Sequence, residues 1–413
     1  MIAWRIFAVV SLWCIAFAGV GSVWAVEQIR IAVIEPLSGP LANAGNNSLH
    51  SLEAEVDMLN AEGGVLGRRL EVVPFDNKLN PQAANMQLQR AIDLGIRYVA
   101  QATASSIGHA VSEAVAKHNA RNPDRPVLYL NFGALDAALT TEKCNFWHFR
   151  FAAHSEMLVA AMTDALAQHA RAKRLYLINQ DYAWGHSVAR LSKAMLASKR
   201  PDLKVVGEDL HPLGKVKDFS PYVAKMHAAL ADTVLTGNFG NDLALLVKAA
   251  KDAGLQADFF ALMAPLTGGP AAIAEAGSDR IRAVAYWHIN LDDNPLLTQA
   301  LAFRAKYQED FHWLPAKLAV RMLAEAMNKS QSVNPVDVAL ALEGMRYAGA
   351  TGDVWMRPED HQLMMPIYQV RFARVGEPGV KYGAEGTAFG WKTERRFDAM
   401  ETVTPATCRV QRP

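Results

Sequence analysis

From residue 29 onward, short β-branched runs alternate with longer stretches in which apolar residues recur every three or four positions. Residues 29–34 (Ile-Arg-Ile-Ala-Val-Ile) are bounded by Pro36 and read as a buried strand. Ser38-Gly39-Pro40 breaks that strand. Leu49, Leu52, Val56 and Leu59 then mark one face of a helix over about 46–60. Gly63-Gly64 stops the helix, and a second strand starts at Leu70. The cycle recurs with strands predicted near 96–100, 126–130, 174–178, 205–208 and 232–237. Helices are predicted over about 107–119, 155–169 and from 241 to near Gly254. Strands alternating with helices of this length imply parallel sheets covered on both faces, with ligands held at the carboxyl ends of the strands. A break near residue 150 divides the cycles into two similar lobes facing each other across a cleft. The tail, near 363–372 and again near Gly390, reads as extended segments.

The first 25 residues follow a different pattern. Arg5 precedes an apolar stretch over 6–20, and Val23-Trp24-Ala25 places short residues where a signal peptidase reads. This predicts a signal peptide over 1–25, cleaved after Ala25, and an exported, periplasmic protein. The apolar stretch is short for a membrane span of about 20 residues. Cleavage would remove Cys14 and leave Cys144 and Cys408, an even pair in an oxidising compartment, read as one disulfide. With 51% hydrophobic and 20% charged residues the chain has ample material for a large core. The full chain's 42 basic and 41 acidic residues nearly cancel and form no basic stripe, which argues against nucleic acid as a partner.

Catalytic signatures are missing from the pattern. There is no phosphate loop, no dinucleotide fingerprint, no nucleophile elbow and no histidine pair at zinc-binding spacing. No enzyme activity, cofactor or metal site is therefore expected. Glu53, Glu55 and Asp57 share one helix and read as a solvated face. The informative positions lie at strand ends. Ser105 and Ser106 stand where a helix begins, so hydroxyls and free N–H groups can receive a carboxylate, unless they serve simply as caps. Ser38-Gly39 offers the same chemistry or a plain turn. Tyr182 and Trp184, then Phe239 with Asn238 and Asn241, place aromatic and amide groups in equivalent loops of the second lobe.

The segments IAVIEPLSGPLA, NAEGGVLGRRLEVV, the ASS loop, INQDYAWG and TGNFGNDLALLVKAAKDAGL occur in order over nearly the whole chain. In these the chain resembles the type I periplasmic solute-binding proteins of the branched-chain amino acid (Leu/Ile/Val) ABC transporter family. The resemblance implies two α/β lobes, 26–149 plus 262–357 and 150–261 plus 358–413, joined by three crossovers near 150, 262 and 358. It places Ser38, Ala104, Ser105 and Ser106 on a ligand carboxylate, flanked by Gln101 and Thr103, with Tyr182 and Phe239 closing over the ligand. An acid near the start of the following helix would hold an ammonium. Asn241 and Asp242 both stand there; Asp242 facing inward would keep an amino acid as ligand, whereas Asn241 would favour an acid without an amine. A second departure is Ala316-Lys317-Leu318-Ala319, where relatives often carry a tyrosine and an acid. The tail TCRVQRP and Asp360-His361-Gln362 also match one branch of the family. The implied function is capture of a small carboxylate-bearing solute by hinge closure, acting as a monomer and delivering to a membrane permease. A ligand sensor of the same fold is the alternative.

Overall fold

The computed structural model describes residues 28–275 and 280–413; the predicted leader lies outside them. The first lobe begins with β1 (Ile29–Glu35), α1 (Ala42–Ala61), β2 (Leu70–Asp76), α2 (Pro81–Asp93), β3 (Tyr98–Gln101), α3 (Ser105–Arg121), β4 (Leu128–Asn131) and β5 (His148–Arg150). Their strands pair in parallel in the order β2-β1-β3-β4-β5. The sharp exit from α1 depends on Gly64, which has φ +75 and whose missing Cβ would lie 2.1 Å from the Arg68 carbonyl oxygen.

After Arg150 the chain builds the second lobe: α4 (Ser155–Gln168), β6 (Arg174–Gln180), α5 (Ala183–Lys199), β7 (Lys204–His211), α6 (Ser220–Ala228), β8 (Thr233–Thr236), α7 (Gly240–Asp252), β9 (Asp258–Ala261), α8 (Gly269–Glu275) and β10 (Ile281–Ala285). It then returns to the first lobe as α9 (Leu297–Tyr307), α10 (Leu314–Ser330) and α11 (Pro335–Leu342). A small antiparallel sheet of β11 (Arg346–Gly349), β12 (Gly352–Met356) and β13 (Leu363–Met364) follows. The tail re-enters the second lobe as β14 (Ile367–Arg374) and β15 (Phe389–Phe397), completing the sheet β15-β14-β10-β9-β8-β6-β7.

This topology moves the second crossover. The stretch 262–285, expected in the first lobe, stays in the second, because β10 pairs in parallel with β9 and antiparallel with β14. Ile281, Ala283 and Ala285 bury against Phe259 and Val370, an apolar surface that no first-lobe element offers them. The passage between lobes therefore falls after Ala285. The carboxylates of α1 also depart from expectation. Glu55 is fully buried, not solvated, and pairs with Lys317 (2.8 Å) and Arg321 of α10, tying α1 to the returning helices. Asp57 remains exposed and meets Lys306 at 3.0 Å.

Where the chain leaves and re-enters the second lobe, two crossovers are clamped by Arg150. This residue has no exposed surface. Its backbone N–H donates to the His361 carbonyl (2.9 Å). Its guanidinium donates to Gln362 Oε1 (2.6 Å), the Asp136 carbonyl (2.6 Å) and the Thr140 hydroxyl. Burial pulls the guanidinium down to about 10, still well above neutral pH, so the charge persists. The Asp360-His361-Gln362 tripeptide thereby gains a physical role. Asp360 pairs with Arg357 at 2.6 Å, and His361 stacks on Phe149 with ring centres 3.8 Å apart. Gln362 also donates to the Ala152 carbonyl at 2.8 Å. Beside this clamp Cys144 and Cys408 form a disulfide with a Cα–Cα distance of 6.3 Å, pinning the tail to the first lobe.

Two predictions follow from the clamp. Arg150→Ala strands several buried acceptors and should lower unfolding stability by about 3–5 kcal/mol in chemical denaturation. Arg150→Lys should recover little, since an ammonium lacks the planar fork that reaches three partners; a variant with the wild-type midpoint would refute this role. Replacing both cysteines by serine opens a loop spanning a sequence separation of 264. The chain-entropy argument sets the cost at up to about 5 kcal/mol. An unchanged melting temperature under reduction would show that the bond adds nothing.

Candidate functional site: the cleft between the lobes

In both sheets the strand order reverses, between β1 and β3 and between β6 and β8. Such reversals open a crevice at the carboxyl ends of strands. A small pocket lies there, lined from both lobes. Three helices begin at it. Ala104, Tyr182 and Phe239 occupy the N-cap positions of α3, α5 and α7, and all three line the pocket. None of the three helices carries a side-chain cap. The Ser105 hydroxyl does not cap α3; it accepts from the Asp136 N–H at 3.1 Å. The first N–H groups of α3 are therefore not met by a capping side chain, and the helix dipole adds to their pull on an anion. Ala104 holds φ 73, a left-handed conformation uncommon outside glycine, which sets the angle at which α3 enters the cleft.

Beneath this loop lies Glu35, at the end of β1 and with no exposed surface. It accepts from the Ala102 N–H and from the Thr103 N–H (3.1 Å). Burial raises its carboxyl to about 7 against the lowering effect of these bonds. Behind the pocket lining, under Ala102 and Thr103, there is thus a carboxyl group partly protonated at neutral pH. The walls are apolar. Ala44, Leu135 and Trp313 come from the first lobe, and Trp184, Met263 and Leu266 from the second. Gly133 completes the first-lobe wall, and a Cβ there would lie 2.6 Å from the Trp313 ring. No Asp, Glu, Lys or Arg side chain lines the pocket.

The lobes touch across the cleft. Ser187 of α5 donates to Asp136 Oδ1 at 3.0 Å, and His109 of α3 meets Asp136 Oδ2 at 2.7 Å. Burial works against the Asp136 anion, but His109 and Ser187 outweigh it and hold the carboxyl below its ordinary value. A Cβ on Gly240 would lie 3.1 Å from Leu41, another point of close approach between lobes.

Of the residues singled out in the sequence, Thr103, Ala104, Ser105, Tyr182 and Phe239 converge on this pocket. Ser38 does not; it is exposed and donates to Asp76 Oδ2 at 2.6 Å. Gln101 is buried behind the pocket, donating to the Thr103 carbonyl (2.6 Å) and accepting from Tyr129 (2.6 Å). Ser106 is partly exposed on α3 and off the pocket wall. Asn241 faces solvent, whereas Asp242 turns inward. Asp242 Oδ2 accepts from Gln180 (2.8 Å) and from the Gly214 N–H (2.9 Å), and Oδ1 is buried without a partner. Asp242 does not line the pocket, but its charge, after burial itself, raises the Tyr182 hydroxyl well above its ordinary value. Glu35, Gly133, Met263, Leu266 and Trp313 were not legible in advance. They carry no motif, and they meet only because the loops after β1, β4 and β9 and the start of α10 converge. Among the described residues no group of three His, Cys, Asp or Glu side chains is placed to hold a metal.

Known proteins match this arrangement. The profile of the periplasmic binding protein family covers residues 28–377. The Leu/Ile/Val-binding protein homolog 4 of Brucella abortus is 32% identical, over 99% of both chains. The Leu/Ile/Val-binding protein of Escherichia coli is 26% identical over 80% of this chain and 86% of its own. The closed-conformation crystal structure of a leucine-, isoleucine-, valine-, threonine- and alanine-binding protein from Brucella ovis superposes with a TM-score of 0.82. It is 30% identical, covering 94% of this chain and all of that one. The chain belongs to the type I periplasmic binding proteins of the branched-chain amino acid family, and is a solute-binding protein rather than an enzyme.

Proposed function

We propose that this protein is the periplasmic solute-capturing component of an ABC transporter, and that its ligand is a small carboxylic acid with an apolar body and no amine. One observation carries the ligand class: three helices without side-chain caps open onto a pocket that no charged side chain lines. Helix N-termini favour a carboxylate, and nothing on the pocket surface would compensate a buried ammonium. The carboxylate would meet the N–H groups at the start of α3 beside Thr103 and Ser105. Tyr182, Trp184 and Phe239 would close over the body when the Ser187–Asp136 contact forms. Closure removes water, strengthens these hydrogen bonds and offers a surface for a membrane permease to distinguish from the open form. Export by the leader, with cleavage after Ala25, and action as a monomer complete this reading.

A second reading rests on Asp242, whose Oδ1 has no partner and whose charge acts on the Tyr182 hydroxyl. Rotation of Tyr182 would let that oxygen receive a ligand ammonium, so the ligand would be an amino acid, as the names of the relatives suggest.

A thermal-shift panel of unfolded and refolded protein, pairing each aliphatic or aromatic amino acid with its deaminated acid, separates the two. The proposal expects shifts with the deaminated acids, retained in Asp242→Asn. Shifts confined to amino acids and lost in Asp242→Asn would establish the second reading instead.

The raised Glu35 carboxyl gives a pH dependence with a definite sign. Its folded value of about 7 exceeds the ordinary 4.5, so the folded state keeps a proton that the unfolded chain releases between these values. The associated stability is complete below pH 4.5 and is lost as pH rises through 7. Glu35→Gln retains an acceptor for the Ala102 and Thr103 amides and does not titrate. Relative to it, wild type should lose stability on the order of 3 kcal/mol between about pH 5 and pH 8. Affinity for the acid should fall over the upper half of that range, as ionised Glu35 repels the ligand, and stay flat in Glu35→Gln. Parallel profiles for the two proteins would refute the assignment.

A further inference from the structure

Beyond the pocket lies a second, partly open recess, bounded by the end of β10, by α9 and the turn after it, and by β15. It shares Met263 and Leu266 with the ligand pocket, so the loop after β9 is a common wall between the two. Leu158, Val284 and Phe311 make much of its surface apolar. Its polar lining includes two indoles, the imidazoles of His288 and His312, and one ion pair. Trp287 and Trp391 line it, both over nine-tenths buried, and neither indole N–H has a hydrogen-bond partner. His288 also lines it, bonding Thr393 through Nε2 at 2.7 Å and leaving Nδ1 unpartnered. Charge there is compensated: Arg304 pairs with Asp310 at 2.7 Å. Burial lowers His288 to about 3, so its ring is neutral.

Two buried indole donors without acceptors are unusual in a folded protein, because each forfeits the hydrogen bond it made to water. An indole N–H can only donate, so what satisfies it must be an acceptor. The absence of an uncompensated charge asks for a neutral one. Methionine at the shared wall is unbranched and repacks readily, which lets a ligand body pass from one cavity to the other.

We infer that the two cavities form one elongated ligand site, whose second compartment takes a neutral, acceptor-bearing end of the ligand such as a phenol, ketone or ether. This rests on the proposed seating of a carboxylate at α3. The ligand class becomes an extended acid with an apolar middle, its carboxylate at α3 and its distal oxygen between Trp287 and Trp391. Branched-chain amino acids fill only the first compartment.

Isothermal titration of the refolded protein, with benzoate and phenylacetate as short probes and ω-(para-hydroxyphenyl)alkanoates of increasing chain length as long ones, tests this. The long probes should bind at least about tenfold more tightly than the short ones, the gain of one or two well-made buried hydrogen bonds. Trp391→Phe and Trp287→Phe keep the ring and remove the donor. Each should weaken the best long probe roughly five- to tenfold and leave the short probes unchanged. Ala300→Leu, which fills the cavity from α9 without removing a bond, should exclude long probes and spare short ones. Short probes that bind while long ones gain nothing, or variants that weaken both classes equally, overturn the two-compartment site alone. Failure of every acid to bind overturns the carboxylate reading and this inference with it.

Discussion

A single buried cation organises the structure around the cleft. Arg150 ends the last strand of the first sheet, where the chain first leaves that lobe, and its partners come from both sides of the crossover. Through Gln362 it fixes the third crossing; through the Asp136 carbonyl and Thr140 it fixes the loop after β4. That loop supplies Gly133 and Leu135 to the pocket and the Asp136 carboxylate to the contact with Ser187. A buried guanidinium is costly unless every donor is matched, so the arrangement admits few alternatives. The crossovers between the lobes are thereby fixed at their root.

Electrostatics within the cleft are set by backbone and burial more than by charged side chains. The N-terminus of α3 supplies the attraction for an anion. A glutamate directly below would oppose it, yet burial holds Glu35 near the midpoint of its titration, so the repulsion is muted at neutral pH. A solute-binding protein must hold its ligand firmly but releasably, and the proposed ligand is an anion. Dipoles and amide donors give this without the long residence that a buried lysine or arginine would confer.

The loops of the second lobe contribute shape. Tyr182 and Phe239 stand at helix starts, where extended backbone turns their rings toward the cleft. Met263 and Leu266 line both the ligand pocket and the neighbouring recess, and so form the wall between them.

Sequence by itself determined the strand and helix alternation, the parallel strands at the heart of both sheets and the strand-end loops, because hydrophobic period and glycine stops are local signals; the antiparallel β14 and β15 make the second sheet mixed. It also singled out the start of α3 and the aromatics at 182 and 239, since a hydroxyl-rich strand-to-helix junction is visible in a dozen residues. Tertiary structure alone decided the rest. β10 carries no signal that distinguishes a strand of one lobe from the other; its place follows from the apolar face waiting between β9 and β14. Ser38 and Gln101 have suitable chemistry, but Asp76 and Tyr129 claim them first. Asn241 and Asp242 differ by one helical step of about 100°, and only packing against Gln180 and Gly214 turns the acid inward. Glu35 and the Trp287–Trp391 pair acquire their properties from being shut away from water, and burial is a property of the assembled fold.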